Sequence, residues 1–155
     1  MYRFIEVVKT TEKETQSIYT FDNEREARAE YETKLGADMQ RDGIVAGFVV
    51  ILDDIGAIII SEKYGAEEVG ARLVDFKTTN EETKDNVAKY DTVDLVISNF
   101  HKKLGAAMKD VENVRSIMLR GFDGNGNSIV YTLEKNPEPI PEPEPIPEEE
   151  PTEGE

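Results

Sequence analysis

The chain has 155 residues, no cysteine, one histidine and a formal net charge of −15 at neutral pH. Without thiols there is no disulfide framework, cysteine nucleophile or thiolate metal site, and no apolar run approaches the ~20 residues of a membrane-spanning helix. Eight of the 33 acidic residues and all seven prolines lie in residues 136–155, which leaves −7 for residues 1–135, a moderately acidic body without the basic stripe of a nucleic-acid binder.

The first stretch, YRFIEVVKT, alternates weakly with charges set among apolar residues, and reads as a strand rather than a signal peptide. Polar KTTEKET marks a turn, and Ile18 and Phe21 place a second short strand after it. Asp22 stands where a helix N-cap is expected. Ala27, Tyr31, Leu35 and Met39 then recur every four residues, predicting a helix of about 17 residues with one apolar stripe. VAGFVVIL and AIIIS follow as two strands joined around Asp53–Gly56.

The same order then repeats. Shifted by 69 positions, Ile5 and Val7 fall on Val74 and Phe76, Thr10 on Thr79, Asp22 on Asp91, and Leu35-Gly36-Ala37 on Leu104-Gly105-Ala106. The shift runs without a gap to the pair Asp54/Asp123, after which the second copy gains one residue. Residues 1–66 and 70–135 therefore read as tandem ββαββ units, each an antiparallel sheet with one helix, an α+β architecture. Units this short bury their apolar faces against each other, which predicts a fused pseudo-dimer. Residues 136–155, NPEPIPEPEPIPEEEPTEGE, read as a disordered, polyproline-II-rich acidic tail, either a spacer or a ligand for a Pro-recognising groove.

Gly36 and Gly105 each cost their helix about 1 kcal/mol relative to alanine. Beside Ala37 and Ala106, they predict either the close contact where the units meet or the approach of a ligand to bare backbone. Lys34 and Lys103 precede them by equal spacing. With His101 and Lys102 they predict a groove between paired helices able to hold a small anion such as a nucleotide; a solvated helix face is the competing reading. His101 lies on the same helix face as Ser98 with no acid evident nearby, a poor triad signal. The hairpin FVVILDDIGAIIIS is apolar on both faces, so both must be covered. Val49, Ile51, Ile58 and Ile60 mark its outer face as a protein interface, whereas the second copy carries Arg115, Ser116, Arg120 and Ser128 in the matching strands. In DGNGNSIVYTLE, Asp123, Asn125, Asn127 and Glu134 follow calcium-loop spacing, but Ser128 takes the glycine position and the flanks are strands, so a hairpin turn is expected. No metal, cofactor or catalytic residue is assigned.

YRFIEVVKT, FHKKLGAAMK, the apolar hairpin and the Pro/Glu tail together resemble a group of small proteins from phages and prophages of gut Firmicutes, commonly single copies of this unit. The resemblance implies a mobile-element origin, in the host cytoplasm or on the virion, and supplies no catalytic residue. The expected function is a non-enzymatic binding or assembly protein with a protein partner, the chain itself included. Two alternatives stay open: an anti-defence protein that sequesters a nucleotide, and an acidic DNA mimic.

Overall fold

The computed structural model describes residues 1–138. The tail reading therefore falls, from residue 139 on, outside the described residues. The first half contains β1 (Tyr2–Thr10), β2 (Glu14–Phe21), α1 (Glu24–Gln40), β3 (Ile44–Leu52) and β4 (Ile58–Gly65). The second repeats the order with β5 (Ala71–Thr79), β6 (Thr83–Tyr90), α2 (Val93–Lys109), β7 (Val114–Phe122) and β8 (Ser128–Lys135). Each half forms a four-stranded antiparallel sheet, ordered β2-β1-β3-β4 and β6-β5-β7-β8, with its helix on one face.

Both helices run 17 residues, as their apolar spacing predicts. The caps are Asn23 and Thr92, one residue later than expected; their side chains accept from the amides of Glu26 and Leu95. The apolar stripe also drifts. At 3.6 residues per turn, twelve residues after Ala27 lies about 120° off its face, whereas eleven residues returns to it. Asp38 and Ala107 are accordingly buried, and Met39 and Met108 are 65% and 49% exposed.

The sheets meet each other on the faces away from the helices. One core cluster joins Ile5, Val7, Ala46, Phe48, Val50 and Leu52 of the first half to Val69, Val74, Phe76, Met118 and Phe122 of the second. At its centre the rings of Phe48 and Phe122 lie 5.5 Å apart. Burial of each such ring contributes about 2–3 kcal/mol. Alternate residues face outward, toward the helices. Phe4, Val49 and Ile51 pack on Ala27, Tyr31 and Leu35, while Leu73, Ile117 and Leu119 pack on Val96, Phe100 and Ala107. The layers run helix, sheet, sheet, helix.

This order corrects three expectations. Gly36 and Gly105 do not mark the contact between halves: among the described residues a Cβ at either would meet nothing within 4 Å. Helices on opposite outer layers form no common groove. Val49 and Ile51 are not on a free surface but completely buried beneath α1, and the opposite face of β3 is covered by the second sheet. The doubly apolar hairpin is thus covered on both faces from within the chain.

The extra residue of the second half also sits elsewhere. Residues 41–43 link α1 to β3, whereas residues 110–113 link α2 to β7, so from there the halves correspond at a shift of 70. The strand registers agree: Arg3 opposes Leu52, and Arg72 opposes Phe122. At that shift Asp53 matches Asp123. Oδ1 of Asp53 accepts from the amides of Ile55 and Ala57, and Oδ1 of Asp123 from those of Asn125 and Asn127. Gly56 and Gly126 close these turns at φ of 82° and 78°, the left-handed region where glycine is favoured. DGNGN is a hairpin turn, its aspartate spent on backbone amides.

Candidate functional site

Strand alternation carries two arginines, at equivalent places in the halves, into the seam between the sheets. Arg3 on β1 pairs with Asp85 on β6 at 2.8 Å, its guanidinium lying 3.9 Å from the Phe76 ring centre. Arg72 on β5 pairs with Glu14 on β2 at 2.6 Å, and its side chain is 1% exposed. Nη1 of Arg72 donates to the Gly70 carbonyl, while Oε1 of Glu14 also accepts from the Gly70 amide. Burial alone would raise the Glu14 carboxyl; the hydrogen bonds from Arg72 and Gly70 and the Arg72 charge outweigh it and hold the group below its ordinary value. Burial likewise lowers Arg72 against the opposing pull of Glu14. Each half thus sends one arginine to an acid of the other, while Nε2 of Gln16 donates to the Val87 carbonyl where β2 and β6 approach.

The two hairpin turns add further contacts across the seam, Gly56 lying against Met118 and Gly126 against Phe48. Arg120 on β7 donates to the Gly56 carbonyl at 2.9 Å and to Ser128, and stacks 4.0 Å from the Tyr131 ring centre. Tyr131 donates to the Ile55 carbonyl. In the linker, the Val69 amide donates to Gly124, and Glu68 accepts from Asn125. Ile55, Ile58 and Tyr131 remain exposed beside this junction.

The second cluster lies under the C-terminal half of each helix. In the second half, Lys103 of α2 pairs with Asp75 of β5 at 2.7 Å, and Asn86 donates to the same carboxylate. A cavity of about 200 Å³ opens beside the pair over Ala106, Ala107, Val114 and Ile117. In the first half the equivalents of Asp75, Ala107, Ile117 and Glu134 are Glu6, Asp38, Gly47 and Tyr64. Tyr64 folds over Gly47, where a Cβ would lie 2.3 Å from its ring, and donates to Asp38 at 3.1 Å. Glu6 and Asp38 are 9% and 6% exposed, and among the described residues Oε2 of Glu6 has no hydrogen-bond partner. Burial, then the hydrogen bond and charge of Asp38, push the Glu6 carboxyl up to about 7. Burial and Asp38 push the Tyr64 phenol far above its ordinary value.

The sequence-derived ligand residues are scattered by this arrangement. Lys34 lies over the Tyr19 ring, 5.7 Å from its centre, on one outer layer. Lys103 is on the other, engaged with Asp75. His101 and Lys102 point to solvent from α2, His101 edge-on to Phe100 at 5.2 Å. Gly36 is exposed and Gly105 half-buried, again on separate layers. Of the four interface residues, Ile58 is exposed at 37% and Ile60 is half-buried against the α1 core. Sequence reasoning missed Glu6, Asp38, Tyr64, Ile55 and Tyr131. Counting the helix at 3.6 rather than 4 would have found Asp38, since it puts an acid on the buried face opposite Glu6.

Among the described residues no group of three or more histidines or carboxylates is arranged to hold a metal ion, and no helix is long and apolar enough to cross a membrane. Compared with protein-family models, with curated proteins and with solved structures, the chain has no significant match.

Proposed function

We propose that the chain is a non-enzymatic binding or assembly protein, built as a covalently fused pseudo-dimer and acting through a protein–protein surface at one end of its seam. Arg3 and Arg72, equivalent in the two halves, each reach an acid on the second strand of the other half, which supports the fused-dimer reading, although the acids themselves are not equivalent: Asp85 matches Gln16 and Glu14 matches Thr83. The observation that carries the binding surface is the grouping of Ile55, Ile58 and Tyr131, large apolar side chains left exposed where both halves contribute to one edge. From the resemblance to phage and prophage proteins we infer a partner in an infected or lysogenic cell.

Nucleotide sequestration draws less support, because Lys34 and Lys103 occupy opposite layers and Lys103 is already paired. The test is affinity capture from such cells by the wild-type chain and by Ile55→Asp/Ile58→Asp. The proposal expects partners recovered by the first and lost by the second, with both folded by circular dichroism. Equal recovery would remove this surface, and a thermal shift with nucleotides alone would favour the sequestering alternative.

A further inference from the structure

The two halves solve the same problem differently at one spot. Beneath α2 the strand acid, Asp75, faces an ammonium, with Lys103 at 2.7 Å. Beneath α1 the strand acid, Glu6, faces a second acid, Asp38, and both are more than nine-tenths buried. Two like charges in so dry a place repel strongly, and one proton shared between them removes the repulsion. We propose that Glu6 and Asp38 form a proton-operated latch between β1 and the C-terminal half of α1, closed while the pair shares one proton and released when both carboxylates are charged.

The surroundings make the latch specific to that end of the helix. From β4, Tyr64 donates to Asp38, and its ring closes the cleft over Gly47. From α1 and its cap come Lys34 and Arg41, which favour the charged form without pairing with Glu6, and Lys34 rests on Tyr19 instead. Glu62, further along β4, is exposed and acts on Tyr31. The neighbours of Glu6 across the sheet are Ser17 on β2 and Val49 on β3, which carry no charge. A cavity of about 140 Å³ beside Asp38, Met39, Arg41 and Tyr64 lets water reach the helix end once it lifts.

The sign follows from the raised carboxyl. Its value in the folded chain, about 7 against an ordinary 4.5, means that the folded state holds the proton about 300-fold more tightly. The contribution to stability is complete below about pH 4.5 and is lost as pH rises through about 7.

The experiment is a carboxyl-carbon NMR titration of the wild-type chain, with amide hydrogen exchange followed along both helices from pH 5 to 8. Glu6 is expected to titrate near 7, and amides of residues 34–40 to lose protection beyond the intrinsic base-catalysed increase. Residues 103–109, held by the Lys103 ion pair, keep theirs. In Glu6→Gln the extra loss disappears, which ties it to the carboxyl pair. A Glu6 midpoint near 4.5 in the wild type, or the same loss of protection in wild type and Glu6→Gln, would overturn the proposal. The wild-type titration decides it even where the variant does not fold.

Discussion

Removing the carboxylate of Glu14 tests how the two sheets are held together. The guanidinium of Arg72 is enclosed in the seam, and among the described residues its charge is matched by Glu14 alone at 2.6 Å, with Lys89 competing for the same carboxylate at 3.4 Å. Breaking a buried pair from one side costs about 3–5 kcal/mol, because the surviving charge stays in a poor solvent. The Gly70 carbonyl still accepts from Nη1, so Glu14→Ala belongs at the lower end, about 3 kcal/mol. With a urea slope of about 1–3 kcal/mol per molar, the unfolding midpoint falls by roughly 1–3 M. Glu14→Gln keeps an acceptor for Arg72 and for the Gly70 amide, and costs about half as much. Glu14→Leu/Arg72→Met removes both charges and stays within about 1 kcal/mol of wild type, since an apolar replacement of a buried pair is often neutral. Equilibrium urea unfolding of the wild type, Glu14→Leu, Arg72→Met and the double variant closes a double-mutant cycle. A coupling energy below about 0.5 kcal/mol would refute the claim that this pair is desolvated and interdependent.

Gly36→Ala and Gly105→Ala each stabilise the chain by up to about 1 kcal/mol in thermal or urea unfolding, because neither added methyl meets a neighbour. Gly47→Ala goes the other way by about 2 kcal/mol or more, since its Cβ would strike both the Tyr64 ring and the Val7 carbonyl. Stability plotted against pH peaks near 4.5 and declines from there toward 7. Glu14, lowered in the folded chain, contributes above its unfolded value and loses that contribution as the pH falls through its folded one, while Glu6 erodes stability as the pH rises toward 7. Chemical denaturation in buffers from pH 3 to 8 shows the peak, and Glu6→Gln flattens its neutral side alone. A chain cleaved by a protease at a site inserted between Glu67 and Glu68 co-elutes as one particle on size-exclusion chromatography, because the shared core outlasts the linker.

The elements were legible because two copies of one pattern check each other. A period of two in YRFIEVVKT and a helical stripe from Ala27 to Leu35 recur at a fixed distance, and the two helices end where the second copy says they should. What lay between the halves was not legible. Strand alternation assigns Val49 and Val50 to opposite faces without saying which face meets a helix and which a second sheet, and both are completely buried. Small residues at Gly36 and Gly105 suggested close packing, yet composition on a helix does not reveal which of its sides is covered. The inserted residue was misplaced because Asp53-Asp54 offers two candidates for one turn aspartate, and only the backbone amides accepted by Asp53 distinguish them. The Glu6–Asp38 pair was hidden because an acid inside an alternating strand reads as an outward residue until the helix above it is counted at its true pitch.

Tyr64 lying over Gly47, against Glu134 beside Ile117, shows one architectural place carrying two chemistries. In an assembly of identical subunits any substitution appears twice, and a change useful on one outer layer must be tolerated on the other. Here each layer has its own codons. A tyrosine lid and a proton-sensitive carboxyl pair can be kept on one side of the particle while the other side carries a lysine ion pair and an open cavity, so the two faces are free to drift toward different tasks.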